Sequence, residues 1–266
     1  MLKDKDYLRF GRQLLLPQWG EAGQQALASK RVLIIGLGGL GCPALQYLAG
    51  AGVGAGAGAV SAGRRDSQGG LLRLVDGDAV SLSNLPRQTL FTPSHVGQNK
   101  AKAAKAWLTQ HNPDIAVEGI EQMASADNLP TLLEGIDLVL DCTDNLTVRH
   151  AINRACVRNN IPLVSGAAIG WQGQLMVIAP SQPTSACFAC LSDPDSDDSQ
   201  AASCQEAGVV GPVVGAVGTL QALQGLKLLL GLECDHQLHR FDGLTMQWQA
   251  FALEPVAACT VCGQKE

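Results

Sequence analysis

Arg31-Val-Leu-Ile-Ile-Gly36-Leu-Gly38-Gly39-Leu-Gly41 is the stretch that decides the fold. The run from Arg31 to Gly36 is short, apolar and β-branched, the composition of a parallel strand buried on both faces. Gly36, Gly38, Gly39 and Gly41 spell G-x-G-x-x-G, and a helix is expected from about Leu40 to Gly50. Between a strand and a helix, such glycines let the backbone approach a phosphate, which then meets the free N–H groups and positive end of the helix.

Outward from this unit the alternation continues. Leu71 to Asp76, Ile115 to Ile120, Asp137 to Asp141 and Pro162 to Ala167 carry strand signals. Helices are expected over Lys100 to His111, around Ala126 to Leu133, and from Asn145 to about Arg158. This rhythm predicts an α/β fold with a Rossmann-like doubly wound sheet and helices on both faces. After Trp171 the pattern changes. Gly173 to Ala179 and Arg240 to Leu253 read as strands with no helix inside them, an antiparallel C-terminal extension. No linker separates the halves of the 266 residues, so one domain is expected over 1–266, with a nucleotide-binding part (31–167) and a C-terminal part (168–266). Ala55 to Gly70 is low in complexity and Ser192 to Ser203 is acidic and serine-rich, so both are expected to be mobile.

Composition narrows the function. Nineteen Lys and Arg against 24 Asp and Glu give a net charge of −5, no field for a polyanionic duplex, so nucleic acid is excluded as a partner. Ala207 to Leu226 is uncharged and long enough to span a bilayer, yet it holds Pro212, Thr219, Gln221, Gln224 and several glycines. It reads as a buried helix, and no membrane association is expected. The charged N-terminus lacks the apolar core of a signal peptide. A cytoplasmic location follows, where nine cysteines read as metal ligands, thiols or core residues before disulfides.

Asp76, ending the second expected strand, is placed to accept hydrogen bonds from a ribose. It lies 35 residues beyond Gly41 rather than the usual ~20, which an insertion at 55–70 accounts for. Two enzyme classes fit a glycine loop with an acidic strand end: a dinucleotide oxidoreductase and a nucleotide-triphosphate enzyme. Ser83-Asn84-Leu85-Pro86-Arg87-Gln88 follows the strand, and Lys100 opens the next helix. A triphosphate needs such cations on the oxygens that gain charge as pyrophosphate leaves, whereas a dehydrogenase does not. In Asp141-Cys-Thr-Asp144-Asn145, at the same edge, an acid could hold Mg²⁺ against the phosphates; Asp144 could equally cap the helix that follows.

Cys187-Phe-Ala-Cys190 and Cys259-Thr-Val-Cys262 are two C-x-x-C pairs. Two such turns complete a closed tetrahedral S₄ site suited to structural Zn²⁺; a redox dithiol is the competing reading for either pair alone. Ser203-Cys204-Gln205-Glu206 matches a capping box, which sets Cys204 at a helix start where the dipole favours thiolate. An inert helix-start cysteine is the alternative. Cys42, Cys142, Cys156 and Cys234 lack partner spacing and read as core or surface residues.

Together, Arg9-Phe-Gly-Arg-Gln13, the Gly36–Gly41 loop, Leu74 to Gln88, Lys100, Asp141 to Asn145, the two C-x-x-C pairs and Ala207 to Gly215 resemble the ThiF/MoeB/HesA family, bacterial relatives of ubiquitin-activating enzymes. The resemblance runs from about Asp4 to Gly263. It implies a homodimer that adenylates the C-terminal carboxylate of a ubiquitin-like sulfur-carrier protein with a Gly-Gly tail, using ATP and Mg²⁺ and releasing pyrophosphate. It also implies that Asp76 holds the ribose, that Asn84, Arg87 and Lys100 hold the phosphates beside Gln88, and that Asp144 holds the metal. Arg12 would reach the neighbouring protomer's ATP. Cys187, Cys190, Cys259 and Cys262 would bind zinc, and Cys204 is linked to covalent sulfur transfer, with sulfur from a separate donor protein. Gly208 to Gly215, Phe241-Asp-Gly243 and Gln247-Trp248 look more like the thiamine-thiazole branch than the molybdopterin branch. The remaining alternatives are an NAD(P)-dependent oxidoreductase and a catalytically silent carrier-binding scaffold.

Overall fold

The computed structural model describes residues 2–56, 69–193 and 208–263. Two helices, α1 (Asp4–Leu14) and α2 (Gly20–Ser29), precede β1 (Arg31–Ile35), α3 (Gly41–Gly50), β2 (Leu71–Val75), α4 (Lys100–His111) and β3 (Val117–Ile120). Then come α5 (Leu129–Leu132), β4 (Leu138–Asp141), α6 (Leu146–Arg158), β5 (Leu163–Ile169), β6 (Gln172–Ile178) and the short α7 (Phe188–Leu191). The last described elements are α8 (Gly211–Leu229), β7 (Leu238–Asp242) and β8 (Gln247–Phe251).

All eight strands form one sheet in the order β3-β2-β1-β4-β5-β6-β7-β8. Pairing is parallel from β3 through β5 and antiparallel from β5 through β8. The expected change of pattern therefore falls at the turn between β5 and β6, where Gly170 takes a positive φ of 56°. Because alternate residues of a strand face opposite ways, β1 divides its apolar run between two cores. Val32 and Ile34 pack with α3, α4 and α8, while Leu33 and Ile35 pack with α5, α6 and α7.

Several expectations need correcting in detail. The helix expected around Ala126 to Leu133 is only the short α5, started by Pro130 in its first turn. The strand expected from Arg240 to Leu253 is two, joined by a turn with Met246 at φ 56°. α1 and α2 were not expected at all: their apolar residues pack sparsely, with Phe10 buried on the first and Gln24 and Leu27 on the second.

The uncharged stretch that raised the membrane question is the buried helix α8, lying against α3. Small residues permit that approach, since a Cβ on Gly218 would meet the Leu40 carbonyl oxygen at 2.2 Å. Its fully buried Gln221 donates to the carbonyls of Asp141 (2.7 Å) and Val164 (3.1 Å), so a polar side chain serves as a clasp between helix and sheet. Among the described residues no helix is long and apolar enough to cross a membrane.

Most of the 55–70 segment lies outside the described residues, but both of its ends are placed. Gly56 donates to Ala28 O (2.6 Å), Leu71 donates to Lys30 O (3.0 Å), and a Cβ on Gly70 would come within 2.6 Å of Gly54 Cα. The ends thus touch each other at the start of β1 and β2, opposite the glycine loop. Replacing 57–68 by a two- or three-residue Gly-Ser link should therefore leave nucleotide binding within about two-fold, because loop closure changes only slowly with length. Titration calorimetry with ATP checks this; loss of binding by a folded variant would show that the segment reaches the loop.

Candidate functional site

The glycine loop follows β1 at the carboxyl ends of the parallel strands, the edge where open α/β sheets place their ligands. Each glycine has its own reason. Gly36 has φ 89° and would clash with the Cys142 carbonyl; Gly41 lies so close to Gly36 that a Cβ would meet its oxygen at 1.9 Å. Gly39 faces Val214 of α8. Around Gly38 the nearest neighbour of a Cβ is Gln88 Nε2 at 3.7 Å, so this position leaves room for a ligand.

Asp76 is 7% exposed just beyond β2, and its carboxylate orders the loop. Oδ2 accepts from Leu37 N (2.7 Å) and Oδ1 from Asp78 N (2.8 Å). Burial pushes the carboxyl up from its ordinary value, and Lys100 with the two backbone N–H groups pulls the other way. The four lone-pair sites of a carboxylate leave room for ribose hydroxyls beside these two bonds.

Beside it stands Lys100, the first residue of α4 and only 7% exposed. Its Nζ donates to Asp78 Oδ2 at 2.8 Å, while Asp78 itself is half exposed. The neighbouring Asn99 caps α4 by accepting from Lys102 N, and its Nδ2 donates to Asp76 O (3.0 Å), which joins the helix start to the strand end. Asp78 and Asn99 were missed in the sequence. The Asp-Gly-Asp spacing at 76–78 was the available signal for the former.

Between β2 and α4 a 3₁₀ turn (Leu82–Asn84) presents the polar cluster. Asn84 Oδ1 accepts from Ser81 N (3.1 Å), and Arg87 Nη1 donates to Ser83 O (3.0 Å). Gln88 is buried next to Gly38, and its Oε1 has no protein partner. A buried acceptor without a partner costs on the order of 1–3 kcal/mol, a deficit that a donor on a bound ligand or its water would remove.

The Asp141–Asn145 turn ends β4 at the same edge and separates its two acids. Asp141 is fully buried and accepts from Thr143 N (3.0 Å), Thr143 Oγ1 (2.7 Å) and Ser165 Oγ (2.9 Å), with Arg149 Nε at 3.1 Å. Asp144 is exposed. The helix cap is not Asp144 but Asn145, whose side chain accepts from Val148 N (2.9 Å), so Asp144 is released from that role. Arg149 was also missed, because a lone arginine in a helix carries no sequence signal of burial.

Arg12 is not brought to this edge. It is exposed on α1, which packs at the opposite end of α3 through Phe10 against Gly52 and Gln13 Nε2 on Ala51 O (3.0 Å). The ten residues of α3 span about 15 Å at 1.5 Å per residue. Within one chain, Arg12 and the loop are on different ends of the helix.

On the other face of the sheet the four expected cysteines meet. Their Sγ atoms lie within 4.8 Å of one another, with Cys187 to Cys190 at 4.0 Å, Cys187 to Cys259 at 3.7 Å and Cys190 to Cys262 at 3.4 Å. A tetrahedral ion with Zn–S bonds of about 2.3 Å sets its sulfurs about 3.8 Å apart, so the cluster fits zinc. Burial pushes the Cys259 thiol up, but the backbone N–H groups of Cys262 and Val261, together with the neighbouring Cys190 and Cys262 thiols, bring it down to about 7. Cys42, Cys142 and Cys156 are core residues with thiols pushed up by burial, Cys42 to about 12. Cys204 and its capping box lie outside the described residues.

The ThiF family profile matches residues 10–261. The sulfur carrier protein ThiS adenylyltransferase of Escherichia coli K12 is 45% identical over 98% of this chain and 97% of its own. The molybdopterin-synthase adenylyltransferase of the same organism is 42% identical over 99% of each. Among solved structures, E. coli MccB with MccA-N7isoASN superposes with a TM-score of 0.78 at 21% identity, covering 97% of this chain and 75% of that one, a likeness of fold.

Proposed function

The chain belongs to the ThiF family, and from that premise we propose that it adenylates the C-terminal carboxylate of a ubiquitin-like sulfur-carrier protein of the ThiS type, with ATP as co-substrate. The observation that carries this reading is Lys100: a buried ammonium delivered to the glycine-loop edge and paired with an exposed carboxylate. Hydride transfer develops no charge on the phosphates of a nicotinamide cofactor, so that chemistry does not call for a buried cation there. A triphosphate does.

In this reading ATP lies with its ribose on Asp76 and its phosphates along the loop, Asn84, Arg87, Gln88 and Lys100. A carboxylate oxygen of the carrier's terminal glycine attacks the α-phosphorus. The new O–P bond forms as the bond from the α-phosphorus to the bridging oxygen breaks, and pyrophosphate leaves with the electron pair. The carboxylate is already ionised, so the step needs no general base. Catalysis is positioning plus stabilisation of charge on the departing oxygens. Asp144 would hold Mg²⁺, which supplies further neutralisation of the phosphates. Cys187, Cys190, Cys259 and Cys262 would hold a structural zinc, tying the C-terminal tail to the turn before α7. The buried free thiols suit a reducing cytoplasm.

A homodimer completes the site, because Arg12 cannot serve the loop of its own chain without leaving its packing on the far end of α3. Exposed apolar residues at that end, Leu8, Leu15 and Leu16, with Tyr47 on α3, offer the surface for a second copy. The part from 168 to 266 would receive the carrier, whose exposed counterpart here is the β7–β8 hairpin with Leu244, Met246 and Trp248.

ATP–pyrophosphate exchange against a panel of purified carriers tests class and pathway together. Exchange with a ThiS-type carrier is expected; exchange only with the molybdopterin-synthase carrier would move the chain to the other branch, and nicotinamide binding without exchange would refute adenylation. Sulfur delivery is a separate step. The sulfur donor's persulfide on Cys204 would attack the acyl carbon, displacing AMP and leaving the carrier joined through sulfur. Cys204→Ser should then keep exchange within about three-fold yet form no thiol-cleavable carrier conjugate, since a hydroxyl is not ionised at neutral pH. Collapse of exchange in this variant would make Cys204 part of the fold or the ATP site.

A further inference from the structure

One buried side chain joins the nucleotide edge to the aromatic ring that stands between two of the four cysteines. Arg149 is 6% exposed on α6. Its Nε lies 3.1 Å from Asp141 Oδ2, and its Nη2 donates to Thr143 O (2.5 Å) and Gly166 O (2.8 Å). Thr143 O is the carbonyl immediately before Asp144. The planar fork therefore fixes the turn from both sides, through the acid that ends β4 and through the peptide that leads to the exposed acid. A lysine has one point charge and cannot span these three acceptors in one plane.

The other face of the guanidinium meets Phe188, whose ring centroid is 5.5 Å from Cζ. Phe188 stands directly after Cys187 and two residues before Cys190, so its ring is placed by the turn that supplies two of the four thiolates. One turn further along α6 than Arg149, the buried Asn153 accepts through Oδ1 from Phe188 N (2.9 Å), the backbone group directly after Cys187. α6 thus holds the cysteine turn with one residue and the acid turn with another.

We infer that Arg149 is a positioning residue for the reaction, holding the turn that carries Asp144, and that Phe188 couples this turn to the metal-binding cysteines. The inference rests on the reading of Asp144 as the residue that meets the nucleotide's divalent cation. It assigns the tetrathiolate centre a role beyond tying down the tail: an ordered Cys187–Cys190 turn keeps Phe188 against the guanidinium, and a loosened one lets the fork and the acid turn drift.

The test uses the full-length zinc-loaded protein, a non-hydrolysable ATP analogue and Mn²⁺, whose free form is counted by its spin resonance signal. In wild type, Mn²⁺ should bind the protein–nucleotide complex. Arg149→Lys should weaken that Mn²⁺ binding roughly ten-fold or more, within the range found when groups behind a metal ligand are removed. Phe188→Leu should weaken it about five-fold, and Phe188→Tyr should restore it, consistent with coupling between distant sites. In all three, zinc content per chain and metal-free nucleotide affinity should stay unchanged. Unchanged Mn²⁺ binding in both Arg149→Lys and Phe188→Leu overturns the inference. Parallel loss of metal-free nucleotide affinity overturns it too, by making the residues general supports of the fold. If Arg149→Lys fails to fold, Phe188→Leu decides alone. Failure of wild type to bind the Mn²⁺–nucleotide pair would instead sink the nucleotide assignment, a result distinct from a variant that behaves like wild type.

Discussion

Arg12→Ala should abolish ATP–pyrophosphate exchange while leaving a dimer, and mixing it with an Asp144→Ala protein should return activity. The expectation is geometric. α1 packs on the end of α3 that faces away from the glycine loop, so the guanidinium of Arg12 serves a site only if that site belongs to a second chain. In a two-fold dimer of the mixed variants, one site then carries both defects and the other carries neither. Random exchange of equal amounts makes half the dimers mixed, so about a quarter of all sites are intact, and recovered exchange should approach about a quarter of wild type. Each variant alone should stay below about one percent, since loss of one group stabilising a transferring phosphoryl costs 10²–10³. Subunit exchange shown by mass or fluorescence, with no recovery, would place Arg12 outside the site.

The packing of α1 against the far end of α3 is a feature that only the folded chain shows. Fold class was legible because the local signals agree: β1 is apolar and β-branched, its glycine turn is unmistakable, and the later strands repeat the spacing. The four cysteines were legible for a chemical reason, as C-x-x-C pairs have few other uses. What stayed hidden is whatever depends on side chains meeting across the sheet. Arg149 and Gln221 are the clearest cases. Each sits in a helix as an ordinary polar residue, and only the folded chain turns them toward the ends of β4 and β5. Asp141 and Asp144 illustrate the same limit from the other side, two acids three residues apart in one motif, one wholly buried among hydrogen bonds and the other exposed. α1 and α2 escaped notice because a helix that covers an end of the domain, rather than a sheet face, needs only one or two buried residues.

Lys100→Met should give a protein as stable as wild type with exchange lowered 10²–10³-fold, the magnitude expected when a charge aimed at a leaving phosphate is lost. Stability and activity part company because of where the two charges stand. Lys100 is buried and Asp78 is half exposed, so removing the ammonium relieves the cost of burying it and leaves behind an anion that water can solvate. Methionine keeps most of the aliphatic stem that packs at the start of α4. Asp78→Asn removes only the resting partner; Lys100 then keeps its place through the helix start, where Lys100 N donates to Asp78 O at 2.9 Å, and exchange should fall by less than about ten-fold. Thermal unfolding and the separation of kcat from KM for ATP check both variants. A fall confined to kcat assigns the ammonium to charge that develops as pyrophosphate departs, whereas an equal rise in KM with kcat kept would mean that Lys100 binds ground-state ATP and does no more. A large drop in melting temperature for Lys100→Met would return the residue to the fold, as a buried ion pair that supports the turn between β2 and α4 and takes no part in the chemistry.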